Sequence, residues 1–585
     1  MDRQKFSPSP QVQCGLSHLE AGRVGEARTA FDTALAANPD DADALQLLGA
    51  MVLKDGDTNQ GIALIQHALR LNPALVSARH NLGCAYFKQE RFAEAIALFQ
   101  EALALKADLP ATHYNLGNAL VSVGREREAV PHYNEAYRLK PDYFEALGLY
   151  VHFSSVTCAW HDGVARSALL RSAKTHLYAG PPFVLHALVD DPAAHLSAAR
   201  QYSVRNTIKP SPASSRRAPA HARLRLAYVS RDFRRSAVAH LLAGLLEDHD
   251  RTRFEVHAIS YGPDDGSSLR QRIVAGVDAF LDVRHLSDAE VAAQIQALEI
   301  DIAIDLNGHT QGNRIGIFMH RPAPLQVTYL GFSGTTGSDA FDYAIVDPII
   351  VPSAQQQNYT EALWHLPGCF LPNDRHRVAP GRVRRRTDYG LPPEGLVFCC
   401  FNNAYKITPE IFDIWMRLLN VIPGSVLWLA LHNQEAVAHL SRAAQARGID
   451  PQRLIFAPKV ASMSDHLARY LCADLFLDTF PYSAATTASD ALWSGLPLLS
   501  LSGQSYASRM ASSILHAVGL DEMVTTTFGA YETTALALAT QPQRLASLKA
   551  KLARNLKTHP LFDSDQHRRY IESAFVEMAE LRLTE

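Results

Sequence analysis

The sequence predicts an α-solenoid of short helical repeats followed by two α/β lobes, each built on a parallel sheet. Two observations carry this. Over the first quarter of the chain, glycines recur at a step of 34 residues. From Leu224 onward, short β-rich runs alternate with helix-length amphipathic segments. The composition agrees: 585 residues, 47% hydrophobic and 20% charged, describe a globular chain long enough for three or four domains of about 150 residues each.

The repeat is legible position by position. Gly15, Gly49, Gly83 and Gly117 keep the step, as do Pro39, Pro73 and Pro141, with Ala107 filling the gap. Leu48, Leu82 and Leu116 precede three of the glycines. Phe31, Ile65, Phe99 and Tyr133 hold one large apolar site, and Ala27, Gly61, Ala95 and Ala129 one small site. A small residue lets two antiparallel helices approach, a large one fills the hole beside it, and the proline ends the second helix. This is the tetratricopeptide pattern, and about four repeats span residues 8–145. Each repeat buries its face against its neighbours, which makes a curved solenoid with a concave groove. Asn81 and Asn115 occupy equivalent positions, although Leu47 breaks the series. Their amides suit pairing with an extended peptide; ordinary surface or capping groups are the plainer alternative.

Residues 146–220 read as a helical connector, with Pro210 to Pro219 as a linker. The first lobe spans 221–380, with strands expected at Leu224–Ser230, Phe254–Tyr261, Ala279–Val283, Ile300–Leu306, Leu325–Phe332 and Tyr343–Asp347. The second spans 388–578, with strands at Val397–Phe401, Val426–Ala430, Leu454–Ala457, Leu475–Asp478 and Leu498–Leu501. The Arg-rich stretch 376–388 is the expected hinge. Open parallel sheets bind ligands beyond the carboxyl ends of their strands, so polar residues there are the candidates.

Net charge is −3, so no whole-molecule field favours nucleic acid or an anionic membrane, and Arg234-Arg235 and Arg384-Arg385-Arg386 read as solvated loops. The seven cysteines form no C-x-x-C pair and read as buried reduced thiols. Met1 to Ser9 has no apolar run like a signal peptide, and no apolar stretch is long enough for a bilayer. A reducing, cytoplasmic setting is expected.

The chemistry concentrates in the second lobe. Lys406 lies in the strand-to-helix segment Phe401-Asn402-Asn403-Ala404-Tyr405-Lys406, ahead of an expected N-cap at Thr408 and Pro409. A cation at the mouth of the sheet suits a phosphate leaving group; a surface lysine is the alternative. The stretch Asp478 to Asp490 runs from a strand end through small residues into a helix. The amides near Thr486 and Thr487 would face an anion. Asp490, one turn in, is placed for ribose hydroxyls or, more plainly, for the helix dipole. His466 and Arg469 are i, i+3 neighbours that could meet a base. Asp-x-Asp occurs at Asp41, Asp248 and Asp563, never at a strand end, so no metal is expected.

At these residues the sequence resembles the O-linked N-acetylglucosamine transferase family, including its bacterial members, and the related plant-type protein O-fucosyltransferases. Tyr228-Val229-Ser230, Pro263-Asp264-Asp265-Gly266, Arg321-Pro322-Ala323-Pro324, Phe401 to Lys406 and Thr486 to Asp490 match in order. The resemblance implies a GT-B fold of two facing Rossmann-like lobes. It implies an inverting transfer of a sugar from a nucleotide donor, with no cofactor, to Ser or Thr of acceptor proteins recruited by the repeat groove. It implies that Lys406 contacts the donor diphosphate, Thr486 and Thr487 hold phosphate, and Asp490 binds ribose. Ala461, His466 and Arg469 resemble the uracil site, Asn403 stands where family members often carry Gln, and Tyr405 matches an active-site tyrosine.

There are departures. Ser236 stands where the family has an active-site His, with His240 four residues on, and Ala485 replaces a second His. His240 and His309 are candidate proton acceptors, His309 on the acceptor side; the donor phosphate is a third. Phe480-Pro481-Tyr482 and Asn307-Gly308-His309-Thr310 look like the fucosyltransferase branch, and Ala461 with Arg469 like the uridine branch. The latter pair touches the part that defines the donor, so UDP-N-acetylglucosamine is expected. A GDP-fucose enzyme, a nucleotide-binding scaffold with little turnover and a polysaccharide acceptor stand as alternatives.

Overall fold

The computed structural model describes residues 8–206 and 221–584 except 161, 179 and 383; the expected linker at Pro210 to Pro219 falls outside the described residues. The chain forms two compact units, one up to Phe153 and one from Ser154 onward.

The first unit is the helical repeat. Its hairpins are α1 (Pro10–Glu20) with α2 (Val24–Ala37), α3 (Ala42–Asp55) with α4 (Thr58–Leu71), α5 (Val76–Lys88) with α6 (Phe92–Leu105), and α7 (Pro110–Ser122) with α8 (Glu126–Leu139). The glycine step has a direct cause. A Cβ on Gly83 would stand 2.6 Å from Phe99 Cε1, one on Gly117 2.6 Å from Tyr133 Cε1, and one on Gly49 2.7 Å from Ile65 Cγ1. The large side chain of each second helix therefore lies where the first helix has no side chain. Asn38, Asn72 and Lys140, each followed by proline, are C-caps with extended backbone, as a residue before proline prefers. Lys106 takes the same conformation before Ala107, so packing holds this corner without the ring. After α8, the ring of Phe153 stacks on Tyr133 at 5.8 Å.

The second unit holds two parallel sheets. The first comprises β1 (Leu224–Ser230), β2 (Phe254–Ser260), β3 (Ala279–Asp282), β4 (Ile302–Asp305), β5 (Leu325–Thr328), β6 (Tyr343–Val346) and β7 (Ala362–His365), in the order β3-β2-β1-β4-β5-β6-β7. The second comprises β8 (Val397–Cys400), β9 (Val426–Leu429), β10 (Leu454–Phe456), β11 (Leu475–Leu477), β12 (Leu498–Leu501) and β13 (Val524–Thr525), in the order β10-β9-β8-β11-β12-β13. Strand order reverses beside β1 in the first sheet and beside β8 in the second, and a ligand crevice opens at such a switch point.

Three details differ from the sequence reading. β7 is half-exposed at a sheet edge and β13 is two residues long, so neither shows the apolar run of an inner strand. β5 stops at Thr328, short of Phe332, because the chain turns through Leu330 at φ 69°. The stretch 376–388 is no free hinge: it lies along the second lobe, where Trp493 Nε1 donates to Val378 O at 3.0 Å and Gly381 N to Ser464 O at 2.9 Å.

Long-range elements tie the lobes together. The C-terminal helix Ser564–Thr584 returns to the first lobe, burying Ile571, Phe575 and Met578 with Leu226, Val256 and Ile304. Asp190 of the connector accepts hydrogen bonds from Gln504 N, Ser505 N and Ser508 Oγ at the start of the helix Tyr506–Ala517. All seven cysteines are unpaired, but Cys14 is exposed, which corrects the expectation of uniformly buried thiols. Among the described residues no helix is long and apolar enough to cross a membrane.

Candidate active site

The switch point of the second sheet is closed by one carboxylate. Asp478 follows β11 and is 1% exposed. Its Oδ1 accepts from Asn402 Nδ2 at 3.0 Å, Thr479 N at 2.8 Å and Ala484 N at 2.9 Å, and its Oδ2 from Ser500 Oγ at 2.6 Å. Burial raises its carboxyl to about pKa 6. These bonds fold the segment after β11 back on itself and tie it to the end of β8. Asn402 then reaches further: its Oδ1 accepts from Thr487 Oγ1 at 2.5 Å, which fixes the start of the helix Thr486–Trp493.

That helix start differs from most others in the lobes. Ser, Thr or Asn side chains cap the helices beginning at Ala237, Ser268, Asp288, Pro409, Gln434, Met463, Tyr506 and Phe528. At Thr486 the N-cap is Ala485, which has no oxygen to offer. The first-turn amides therefore present their partial positive charge to the cleft. Ser236, by contrast, spends its hydroxyl on structure: it caps the helix Ala237–Asp248 through Ala239 N at 3.1 Å and donates to Asp232 O at 2.8 Å.

Lys406 is buried, not a surface lysine. Its Nζ donates to Ser483 O at 3.0 Å and lies 3.7 Å from the centroid of the Tyr482 ring. Burial lowers its pKa to about 8, against the pull of Asp478. A cavity of about 270 Å³ brings Lys406 together with Asn402, Asn403, Tyr482, Ala485, Thr486 and Thr487. A second cavity of about 540 Å³ is walled by His240, Arg377, Met463, Leu467, Thr486, Thr487 and Asp490. The two share Ala237, Leu241, Thr486 and Thr487, so they form one cleft between the lobes.

The other candidates fall as follows. Asn403 is exposed at the rim of the smaller cavity. Tyr405 sets its ring edge-on to Tyr482 at 6.0 Å, outside the cavity wall. His240 faces the larger cavity, and burial lowers its pKa, so it is neutral at pH 7. His309 is not brought to the cleft: it is 2% exposed, with Nε2 on Thr336 O at 2.6 Å. Burial pushes it down to about pKa 4, so it is a neutral core histidine, and its expected place near an acceptor is corrected.

The nucleoside candidates are engaged by their neighbours. His466 and Arg469 bond to each other through Nδ1 and Nη2, and Arg469 Nη1 donates to Pro458 O at 2.9 Å. Arg469 is thus occupied locally, and Ala461 is exposed in the preceding loop, outside both cavity walls. Asp490 is no solitary acceptor: Arg377 Nη2 donates to its Oδ1, and His466 Nε2 stands 3.5 Å from its Oδ2. Sequence reasoning missed the parts played by Arg377, Asp478 and Asn402. Asn402 and Asp478 stood inside the motifs that drew attention; nothing local marked Arg377. Asn81 and Asn115 sit half-buried on α5 and α7, with Asn115 Nδ2 donating to Cys84 Sγ at 3.3 Å. Among the described residues no three His, Cys, Asp or Glu side chains gather as metal ligands.

A helical-repeat unit joined to twin parallel-sheet lobes, with a buried lysine and an uncapped helix start in one cleft, defines a two-lobed α/β protein with an electropositive cleft. The chain belongs to glycosyl transferase family 41, whose model matches residues 205–382 and 379–572, and tetratricopeptide models match 15–76, 83–124 and 110–143. It is 33% identical over 451 residues to the probable UDP-N-acetylglucosamine–peptide N-acetylglucosaminyltransferase SEC of Arabidopsis thaliana, covering 73% of this chain and 46% of that protein. It is 27% identical over 457 residues to the UDP-N-acetylglucosamine–peptide N-acetylglucosaminyltransferase of Caenorhabditis elegans, covering 59% of this chain and 40% of that one. The chain thus spans less than half the length of these relatives. A solved structure of a point mutant of the Thermobaculum terrenum O-GlcNAc transferase matches with a TM-score of 0.67 and 32% identity, over 93% of this chain and 98% of that one.

Proposed function

We propose that the chain transfers N-acetylglucosamine from UDP-N-acetylglucosamine to Ser or Thr hydroxyls of proteins. The observation that carries this is the meeting of Lys406 with the uncapped start of the helix Thr486–Trp493 in one cavity. The names of the relatives, which are UDP-N-acetylglucosamine–peptide N-acetylglucosaminyltransferases, support the donor over a guanosine sugar.

In this reading the nucleoside occupies the larger cavity beside His240, His466 and Asp490, and the diphosphate bridges Thr486-Thr487 and Lys406. The acceptor oxygen forms a bond to the anomeric carbon from the face opposite the diphosphate. The bond from that carbon to the phosphate oxygen breaks, and the electron pair leaves with UDP. The hydroxyl proton departs to the donor phosphate, a basic group the reaction itself brings. Lys406 and the helix amides hold the growing negative charge without a metal, and removing one such contact costs roughly 10²–10³ in rate. The repeats bind the acceptor protein, with Asn81 and Asn115 offering amides to its backbone. The setting is a reducing cytoplasm, which seven unpaired cysteines suit.

Ser236 and Ala485, two helix N-caps where relatives of this kind would carry histidine, favour a second reading as a nucleotide-binding scaffold with little turnover. Hydrolysis and transfer with a panel of nucleotide sugars, wild type beside Lys406→Ala, separates the two. Turnover of a uridine donor that collapses in the variant supports the transferase; tight UDP binding with no turnover of any donor supports the scaffold.

A further inference from the structure

We infer that Arg377 is a positioning residue for the nucleotide: through Asp490 it sets the oxygen that accepts the donor's ribose hydroxyls. This rests on the donor reading above and adds to it a residue from the segment between the lobes. The geometry is that of a fixed fork. Arg377 Nη2 donates to Asp490 Oδ1, while Nη1 donates to Asn373 Oδ1 at 2.8 Å and Ser489 Oγ at 3.1 Å. Ser489 Oγ in turn donates to Asn373 Oδ1 at 2.7 Å, and Asn373 Nδ2 to Leu561 O at 2.9 Å. The guanidinium carbon lies 5.8 Å from the ring centroids of Trp493 and Phe562. The two side chains are only 11% and 9% exposed.

A planar fork held on two sides cannot swing away as a lysine would. With Oδ1 filled, Asp490 has Oδ2 left for the cavity that both residues line. The His466 nitrogen 3.5 Å away is too distant to saturate that oxygen. A carboxylate oxygen makes a stronger hydrogen bond to a hydroxyl than a neutral acceptor does. Arg377 Nε is buried with no acceptor among the described residues, so the fork keeps one donor unused.

The test compares dissociation constants for UDP, 2′-deoxy-UDP and 3′-deoxy-UDP by calorimetry on the full chain, with folding checked by thermal melting. Wild type should prefer UDP over at least one deoxy analogue by about tenfold or more, the value of a hydrogen bond to a charged group. Arg377→Met should weaken UDP by roughly 10- to 100-fold and the disfavoured analogue far less, so the preference collapses. Asp490→Asn should do the same, and the double variant should be no weaker than Asp490→Asn alone. Arg377→Lys should recover part of the preference, and it carries the comparison where Arg377→Met does not fold. Equal weakening of UDP and both analogues would reduce Arg377 to a structural prop and overturn the inference. A preference abolished by Asp490→Asn but intact in Arg377→Met would overturn it while leaving the ribose reading of Asp490 standing. A wild type without preference, beside a silent Asp490→Asn, would remove that reading and this inference together.

Discussion

Lys406 Nζ lies 3.7 Å over the ring of Tyr482, with no carboxylate oxygen within 4.0 Å among the described residues. Among the described residues its one hydrogen-bond acceptor is a carbonyl, Ser483 O at 3.0 Å. A buried ammonium with no carboxylate counter-ion in contact is poorly solvated by its surroundings, which is why burial draws its pKa down to about 8 despite the more distant pull of Asp478. An incoming diphosphate would be that counter-ion. Lys406→Ala is expected to lower kcat by roughly 10²–10³. Because burial disfavours the ammonium more than Asp478 favours it, the variant should melt no lower than wild type. Steady-state kinetics with a differential scan checks both halves, and a large fall in Tm would show that the lysine is structural.

The same pKa predicts an alkaline limb. Lysine is charged below its pKa, so the protonated form is present at neutral pH and is lost as pH rises through about 8. kcat/KM, which reports groups of the free enzyme, should fall about tenfold per pH unit above that point. Lys406→Arg, if active, should keep its charge and show no such limb. A flat wild-type profile to pH 10 would count against a charged Lys406 in the chemical step.

Asn402 joins three elements, since it donates to Asp478 and Thr479 and accepts from Thr487. Asn402→Ala would leave the Thr487 hydroxyl and one lone pair of a buried carboxylate unpaired, at a cost of about 1–3 kcal/mol. The expected result is a lower Tm and a raised donor KM, with the KM effect reduced in Thr487→Val, where the tie is already gone. Measuring both variants and the pair as a cycle decides whether the tie is real.

In the repeats, Gly83→Ala should be disproportionately damaging for one methyl. The added carbon would stand 2.6 Å from Phe99 Cε1, and Phe99 is fully buried. Overpacking of this kind costs about 1–3 kcal/mol. The far-ultraviolet melting signal should show an earlier helical transition, while hydrolysis of the donor in the second unit stays near wild type. Loss of both would mean that the units do not fold separately.

Asn81→Ala with Asn115→Ala should raise KM for a protein acceptor and leave donor hydrolysis unchanged. Unaltered acceptor kinetics would remove the asparagines from the acceptor path.

The repeats and the lobes were legible because their signals are local and periodic. A step of 34 residues, a switch to short β-rich runs, and the residues at the ends of β8 and β11 all lie within reach of one motif. Lys406, Thr486, Thr487 and Asp490 could be singled out because a strand end and a helix start expose particular atoms whatever the rest of the chain does. The tertiary structure alone decided the partners. Arg377 meets Asp490 across 113 residues and Asn402 meets Thr487 across 85, distances over which no spacing rule acts. His309 looked exposed to chemistry in its Asn-Gly-His-Thr loop, yet packing turned it onto Thr336 O. A motif specifies which atoms a segment can offer; burial and the competition among buried donors and acceptors decide which of them remain free for a ligand.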